Sequence, residues 1–287
     1  MLRQAAEADA PAIDAFLAPM TDTSLFLRGN LARHGLSDSS HPHGTAYFLW
    51  EDRGAIRAVF GCSNGGYLMC QAPDAPPGFW SALPAALSGR RVTGMTGLTE
   101  QVGHTLDALG LQAERFTLDH HAPILALDLR TLPDTPEPAI RAATSDDLPL
   151  LESWFRGYIA DTEPDRPARQ VAEEALTAAH RAVHTADTRL LIEDETPRAM
   201  AAVLSRAGDT VQVGTVYVPP EHRNAGRAGT VVAAHLADLR DRSGVTSAVL
   251  FAHNAAAARA YERIGFRHIA TARIVKLATP QEIAPCP

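Results

Sequence analysis

Cysteine is scarce in this chain. Its 287 residues include three, Cys62, Cys70 and Cys286, an odd and widely spaced set. That pattern excludes a disulfide-framed scaffold and points to reduced thiols in a cytoplasmic protein. No apolar run approaches the about 18 residues that a membrane-spanning helix needs, so no span is expected. The opening MLRQAAEADAP lacks the basic-then-apolar build of a secretory leader. Basic charge is also in deficit. The net charge is −7, which gives no electrostatic reason to expect nucleic acid as a partner. Metal-binding patterns are missing too. His41-Pro42-His43 and His120-His121 show neither the i, i+4 helical spacing nor the flanking cysteine pair of zinc motifs. Adjacent histidines on a strand point to opposite faces, so no metal is expected.

What is present has the composition of a globular protein, and the length suits about two ordinary domains. The chain carries the same unit twice. Leu2-Arg3 through Ile13 lines up with Ile140-Arg141 through Leu151. Each begins apolar-Arg, and each opens a helix with an Asp followed two residues on by Pro, a residue suited to a first helical turn. Between the halves lies the stiff segment 133–138, Pro-Asp-Thr-Pro-Glu-Pro. The organisation expected is one domain over 1–132, a linker over 133–138 and a second domain over 139–287.

Residues 211–229, VQVGTVYVPPEHRNAGRAG, are the most informative stretch. A β-rich run ends at Pro219-Pro220. A glycine-bearing loop follows, and a helix opens with Val231, Val232, His235, Leu236 and Leu239 at helical spacing. Strand, glycine loop and helix start, in that order, build a phosphate cradle. The first N–H groups of a helix lack intrahelical partners, and the helix dipole favours an anion there. Gly226 and Gly229 let the backbone come close to a pyrophosphate, and Arg223 and Arg227 add charge. The Walker pattern fails because the loop has no Lys, and the dinucleotide fingerprint fails because only two of its three glycines are present. A solvated loop with a helix cap is the plainer alternative.

The next signature follows downstream. Ser247–Ala252 reads as a buried strand, Asn254 as a helix cap and Gly265 as a left-handed helix end. The spacing Arg223-x-x-Gly226-x-Ala228 resembles the acetyl-CoA pyrophosphate motif of the GCN5-related N-acetyltransferase (GNAT) family, R/Q-x-x-G-x-G/A. Asn254, Ala257, Tyr261, Gly265 and Phe266 match that family's second signature, N-x-x-A-x-x-x-Y-x-x-x-G-F. Two motifs in order are far more specific than either alone.

The resemblance implies an α/β (α+β) chain of two tandem GNAT-like domains, each a central mixed, mostly antiparallel sheet flanked by helices. It implies acetyl-CoA as co-substrate, bound by Val216, Tyr217 and Val218 on the strand, by Arg223, Asn224, Ala225, Gly226, Arg227, Ala228 and Gly229 on the loop, and by Asn254. It implies an amine or peptide acceptor, with Tyr261 protonating the departing thiolate. The plain alternative for Tyr261 is a half-buried packing residue. Many relatives use a glutamate near the strand before the loop, but that strand carries Gln212 and no carboxylate. Asp161, Glu163, Asp165 and the Glu193-Asp194-Glu195 run are the acidic alternatives; Glu163 is the candidate base. A second functional class stays open, a non-catalytic acetyl-CoA-binding sensor or scaffold. A monomer or homodimer is expected.

The two halves are not equivalent. In the first, Ala46–Trp50, Ile56–Cys62 and Tyr67–Gln71 read as strands, with a hairpin turn over Ser63–Gly66. Where the glycine loop belongs stands Ala72-Pro73-Asp74-Ala75-Pro76-Pro77-Gly78, without arginine and with prolines that remove amide donors. A helix over 99–110 ends at Gly110, and Phe116–Leu118 and Ile124–Leu129 read as closing strands. The first half is therefore expected to keep the fold and to have lost the cofactor loop.

Overall fold

A computed structural model describes residues 1–132, 139–185 and 187–284. The proposed linker 133–138 and Cys286 lie outside the described residues. The first run of elements is β1 (Leu2–Gln4), α1 (Ala10–Leu17), α2 (Thr21–His34), β2 (Thr45–Asp52), β3 (Ala55–Ser63), β4 (Tyr67–Gln71), α3 (Pro77–Ala86), β5 (Arg91–Leu98), α4 (Thr99–Ala108) and β6 (Phe116–Asp128). The second run repeats the order: β7 (Ile140–Ala142), α5 (Leu148–Thr162), α6 (Ala168–His184), β8 (Thr188–Glu193), β9 (Thr196–Ala207), β10 (Thr210–Tyr217), α7 (Arg227–Ser243), β11 (Ser247–Phe251), α8 (Ala255–Glu262) and β12 (Arg267–Glu282). The expected mixed, mostly antiparallel sheets flanked by helices are present in both runs.

The repeat begins with the same clasp each time. Arg3 donates Nη1 to Asp9 Oδ2 at 2.7 Å, and Asp9 Oδ2 also accepts from Ala6 N–H at 2.7 Å. Arg141 donates Nη1 to Asp147 Oδ2 at 2.6 Å, and that oxygen accepts from Thr144 N–H at 2.9 Å. Each carboxylate ties the first strand to a short 3-10 turn, and Pro11 or Pro149 follows in the first turn of the helix.

The sheets share one pairing pattern. In the first unit β1–β2, β2–β3 and β3–β4 pair antiparallel, β4–β5 parallel and β5–β12 antiparallel. In the second unit β7–β8, β8–β9 and β9–β10 pair antiparallel, β10–β11 parallel and β11–β6 antiparallel. The last strand of each sheet comes from the other run. β12 pairs with β5 from Ala272–Leu98 to Glu282–Arg91, and β6 pairs with β11 from Ile124–Phe251 to Asp128–Ser247. The compact units are therefore Met1–Ala122 together with the chain from Ala270 onward, and Pro123–Ile269. They differ from the sequence halves 1–132 and 139–287 because each terminal strand crosses over. The two closing strands expected over 116–118 and 124–129 are one strand, β6, which carries Pro123 within it.

Period-2 alternation distributes the core. In the first unit Tyr47, Leu49, Val59 and Met69 join Ile13, Leu17, Leu27 and Leu31 of α1 and α2. Their neighbours Phe48, Phe60, Leu68 and Cys70 join Phe79, Leu83, Val102 and Leu106 of α3 and α4. In the second unit Leu190 and Met200 join Leu151, Trp154 and Phe155 of α5, whereas Leu191, Ala199 and Ala201 join Val231, Val232 and Leu236 of α7. Val275, Leu277 and Ile283 of the returning C-terminal segment are buried in the first unit's core. Among the described residues no helix is long and apolar enough to cross a membrane.

Candidate active site

The second unit concentrates its irregular backbone around the glycine loop. β10 pairs in parallel with β11 from Thr210–Ser247 to Val213–Leu250, and the pairing stops there. On the other side, the β9–β10 register slips between Gly214–Ala202 and Tyr217–Met200, so β10 carries an extra residue. Thr215 sits at φ +49° inside this bulge. A β-branched residue with positive φ is a conformational outlier, and such strain costs about 1–3 kcal/mol and concentrates at functional sites. Bulge and lost pairing together leave Val216 and Tyr217 with backbone groups that β11 does not use. Gly214 was the one signal for it in the sequence, since a glycine inside a strand often marks a bulge.

After Val218 the chain makes a 3-10 turn over Pro220–His222. Asn224 and Gly226 both adopt left-handed φ, +64° and +75°. Gly226 is the N-cap of α7, whose ladder begins with Thr230 N–H donating to Gly226 O at 3.1 Å. The N–H groups of Arg227, Ala228 and Gly229 therefore have no intrahelical partner, which is the anion-binding end of a helix. A Cβ on Gly226 would meet open space, so its glycine is required by φ and by access. Gly229 also has a packing role. Its missing Cβ faces Ala260 O and Ile264 Cγ2, both at 3.4 Å, so it lets α7 and α8 pack.

The two loop arginines are both engaged. Arg223 donates Nε to Val218 O at 3.0 Å and Nη2 to Asp161 Oδ2 at 2.6 Å, and its guanidinium lies 5.8 Å from the Tyr217 ring centroid. Arg227 reaches the end of β8. It donates Nε and Nη2 to Glu193 Oε2 at 2.8 and 2.6 Å and Nη1 to His222 O at 2.9 Å. It holds the loop to the end of β8, and the pair pulls the Glu193 carboxyl below its ordinary range.

α5 meets the bulge through Gly157, where a Cβ would fall 2.1 Å from Tyr217 Oη, and through Trp154, whose ring centroid is 6.3 Å from that of Tyr217. Tyr261 is buried on α8, edge-on to Phe266 at 6.1 Å. Burial raises its phenol above the ordinary tyrosine range, and the neighbouring Tyr158 of α5 adds to the rise. Tyr158 is itself pushed up to about 12, chiefly by burial, with Glu163 and Glu174 contributing. No sequence signal distinguished Tyr158 from any other half-apolar helix residue. Asn254 caps α8, its Oδ1 accepting from Ala257 N–H at 2.9 Å. Glu163, at the C-terminal end of α5, pairs with Arg166 at 3.1 Å, and Arg166 also pairs with Glu174. Gln212 is buried within β10.

The matching region of the first unit also loses its parallel pairing before the strand ends, after Met69–Thr96, but it has no bulge, no glycine cap and no arginine on the loop. β4 pairs with β3 in unbroken register from Cys62–Leu68 to Val59–Gln71. α3 begins at Pro77 with Pro76 as its cap, and the Phe79 N–H is taken by Pro76 O at 2.9 Å. Gln101 Oε1 accepts from Ala72 N–H at 3.3 Å. On and just after α4, Thr99, Val102, Leu106, Gly110 and Leu111 repeat the spacing of Asn254, Ala257, Tyr261, Gly265 and Phe266, so a leucine stands in place of the tyrosine. Gly110 and Gly265 both have positive φ, +68° and +105°. Among the described residues no group of three His, Cys, Asp or Glu side chains is placed to hold a metal ion.

Comparison with known proteins agrees with this geometry. Residues 191–275 match the family described as FR47-like protein. No curated protein matches the chain. Among solved structures, a Drosophila protein is similar with a TM-score of 0.64 at 14% identity, covering 96% of this chain and 98% of its own. A GCN5-related N-acetyltransferase from Sphaerobacter thermophilus is similar with a TM-score of 0.52 at 17% identity, covering 99% and 96%. A GNAT-family acetyltransferase from Colwellia psychrerythraea has a TM-score of 0.50 at 13% identity, covering 96% and 99%. At these identities the likeness establishes the fold.

Proposed function

From a chain of the GCN5-related N-acetyltransferase fold, with an FR47-like segment over residues 191–275, we propose an acetyl-CoA-dependent N-acetyltransferase with one cofactor site per chain. The observation that carries this reading is the coincidence of the bulge at Gly214–Thr215, the left-handed Gly226 cap and the unpartnered N–H groups of 227–229 on one continuous stretch. When bound, acetyl-CoA supplies an activated thioester carbonyl to an amine or peptide N-terminus.

The chain's own residues then have separable tasks. Val216 and Tyr217 offer backbone groups to the pantetheine arm as an added strand would. A backbone N–H at the bulge polarises the carbonyl under attack. The loop N–H groups, with Arg223, hold the pyrophosphate. The amine nitrogen bonds to the carbonyl carbon, the C–S bond breaks, and the electron pair leaves on sulfur. Tyr261 returns a proton to that thiolate. Burial keeps its phenol protonated until then. Glu163 must release Arg166 before it can accept the amine's proton, so we assign that step to water, with Glu163 as the nearest sequence-derived alternative.

One observation favours a non-catalytic binding module instead: the strand before the loop carries a buried Gln212 and no carboxylate. Calorimetric titration with acetyl-CoA tests the cradle. One site per chain in the wild type, lost in an Arg223→Ala, Gly226→Glu double variant, is the expected result. Two sites would make the first unit a second cradle, and no binding would remove the cofactor reading altogether.

A further inference from the structure

Asp161, in the last turn of α5, is one of several acidic residues in that stretch, and nothing in the sequence singles it out. The structure puts its carboxylate on Arg223, the one loop guanidinium that is not tied back to β8. Trp154, Gly157 and Asp161 stand at i, i+3 and i+7 on α5 and so share one face. The first two seat the helix on Tyr217, Gly157 by lacking the Cβ that would collide with its hydroxyl. Asp161 is the next residue along that seated face, so its meeting with Arg223 is set by the packing of α5.

We propose that Asp161 is a positioning residue that holds Arg223 by occupying Nη2, a donor that a pyrophosphate needs, and that yields it when a pyrophosphate binds. The proposal rests on reading loop 223–229 as the acetyl-CoA cradle. Arg223 is rooted by its Nε bond to Val218 O, which leaves the outer edge of the guanidinium to be contested. Asp161 presents a single carboxylate there, in a pair whose side chains are 39% and 50% exposed. A pyrophosphate presents two anionic groups and can also reach the free helix N–H groups, so it displaces the carboxylate. The exchange releases the C-terminal turn of α5. By reciprocity, whatever stabilises the tethered α5 weakens cofactor binding.

The test is a calorimetric cycle with CoA on the full chain: wild type, Asp161→Asn, Arg223→Ala and the double variant, with Asp161→Ala as a further single variant. An exposed ion pair shifts an equilibrium by at most about fivefold. Asp161→Asn is expected to bind CoA tighter than wild type by up to that factor, and Asp161→Ala to repeat the gain. In the Arg223→Ala background the same substitution is expected to change nothing, because no guanidinium remains to be contested. A purely structural role for Asp161 would weaken binding in both backgrounds. Unchanged or weaker CoA binding by Asp161→Asn, with the wild type still binding, overturns this inference alone. Failure of the wild type to bind CoA overturns the cradle and this inference with it.

Discussion

β4 and β10 occupy the same place in the shared pairing pattern of the two units, and β10 carries register shifts against its neighbour that β4 lacks. β4 runs in unbroken register and ends at Gln71, with the next amide sealed by Gln101. β10 bulges at Gly214–Thr215; both strands leave their parallel partner before they end, β10 after Val213 and β4 after Met69. The loops that follow diverge in the same sense. Two prolines and a taken amide open α3, whereas a left-handed glycine and free amides open α7. The fold thus tolerates either version, because alternating apolar side chains on both faces fix the layers without reference to the loops. A ligand site needs the opposite: backbone groups withheld from the sheet and left unsatisfied until something binds.

The largest test of this contrast exchanges the residues at one helical position. Leu106 stands in the first unit where Tyr261 stands in the second. Tyr261→Phe keeps the ring and its contact with Phe266 but removes the proton. It is expected to lower turnover by about 10²–10⁴-fold, the usual worth of a positioned acid, with CoA affinity unchanged. Release of free thiol in the presence of an accepted amine measures it. Leu106→Tyr in the first unit is expected to leave turnover as it was. Equal turnover by Tyr261→Phe would move the chain to the binding-module class or the proton to solvent.

The sequence showed the strands β2 to β4, the hairpin turn at Ser63–Gly66, the cap at Asn254 and the glycine that ends α8, since each depends on local residue chemistry. Gly66 N–H does donate to Ser63 O at 2.8 Å, and Asn254 does cap its helix. The crossing of β6 and β12 was not legible. Strand partners are chosen among segments far apart in the chain, and both candidates present similar alternating apolar faces. The bulge was half legible: Gly214 marked the place, but nothing announced that Thr215 would take a positive φ. Least legible were the arginine partners. Arg223 and Arg227 look alike on the loop, and only the packing of α5 and β8 sends one to Asp161 and the other to Glu193.

A second contrast lies in the helices after the two loops. α3 has no ionisable side chain, whereas α7 buries His235 with its Nδ1 unpartnered. Burial, aided by Arg189, pulls this imidazole down to about 4, against smaller opposing effects of Asp238 and the Ala201 backbone. Its ordinary value is about 6.5, so between the two values the unfolded chain binds more protons than the folded one. Stability is therefore complete above about pH 6.5 and falls as the pH drops towards 4, by about 3 kcal/mol from this residue. Denaturant midpoints across that range should show the loss. His235→Leu should flatten it, since an apolar side chain of similar bulk carries no proton. A slope that persists in the variant would place the titration on another group.

The smallest contrast concerns the feature the two runs share most closely. Asp147 is 7% exposed and takes both terminal nitrogens of Arg141, at 2.6 and 2.7 Å, with Thr144 N–H and hydroxyl as well. Asp9 is 20% exposed, and its Arg3 also reaches Glu51 at 2.5 Å. Both carboxyls are held down to about 2, chiefly by their arginines. Each therefore contributes stability above its unfolded value near 4 that is lost as the pH falls towards 2, below the window of His235. Asp147→Asn is expected to cost about 1.5–3 kcal/mol, the range for hydrogen bonds to a charged group. Asp9→Asn should cost under about 1 kcal/mol, because the Arg3 left behind keeps Glu51 and more water. Thermal midpoints of the two single variants decide the order. Equal losses would mean that the clasp acts by fixing how the strand enters the first helix, which both runs need alike, and that the burial of its carboxylate is incidental.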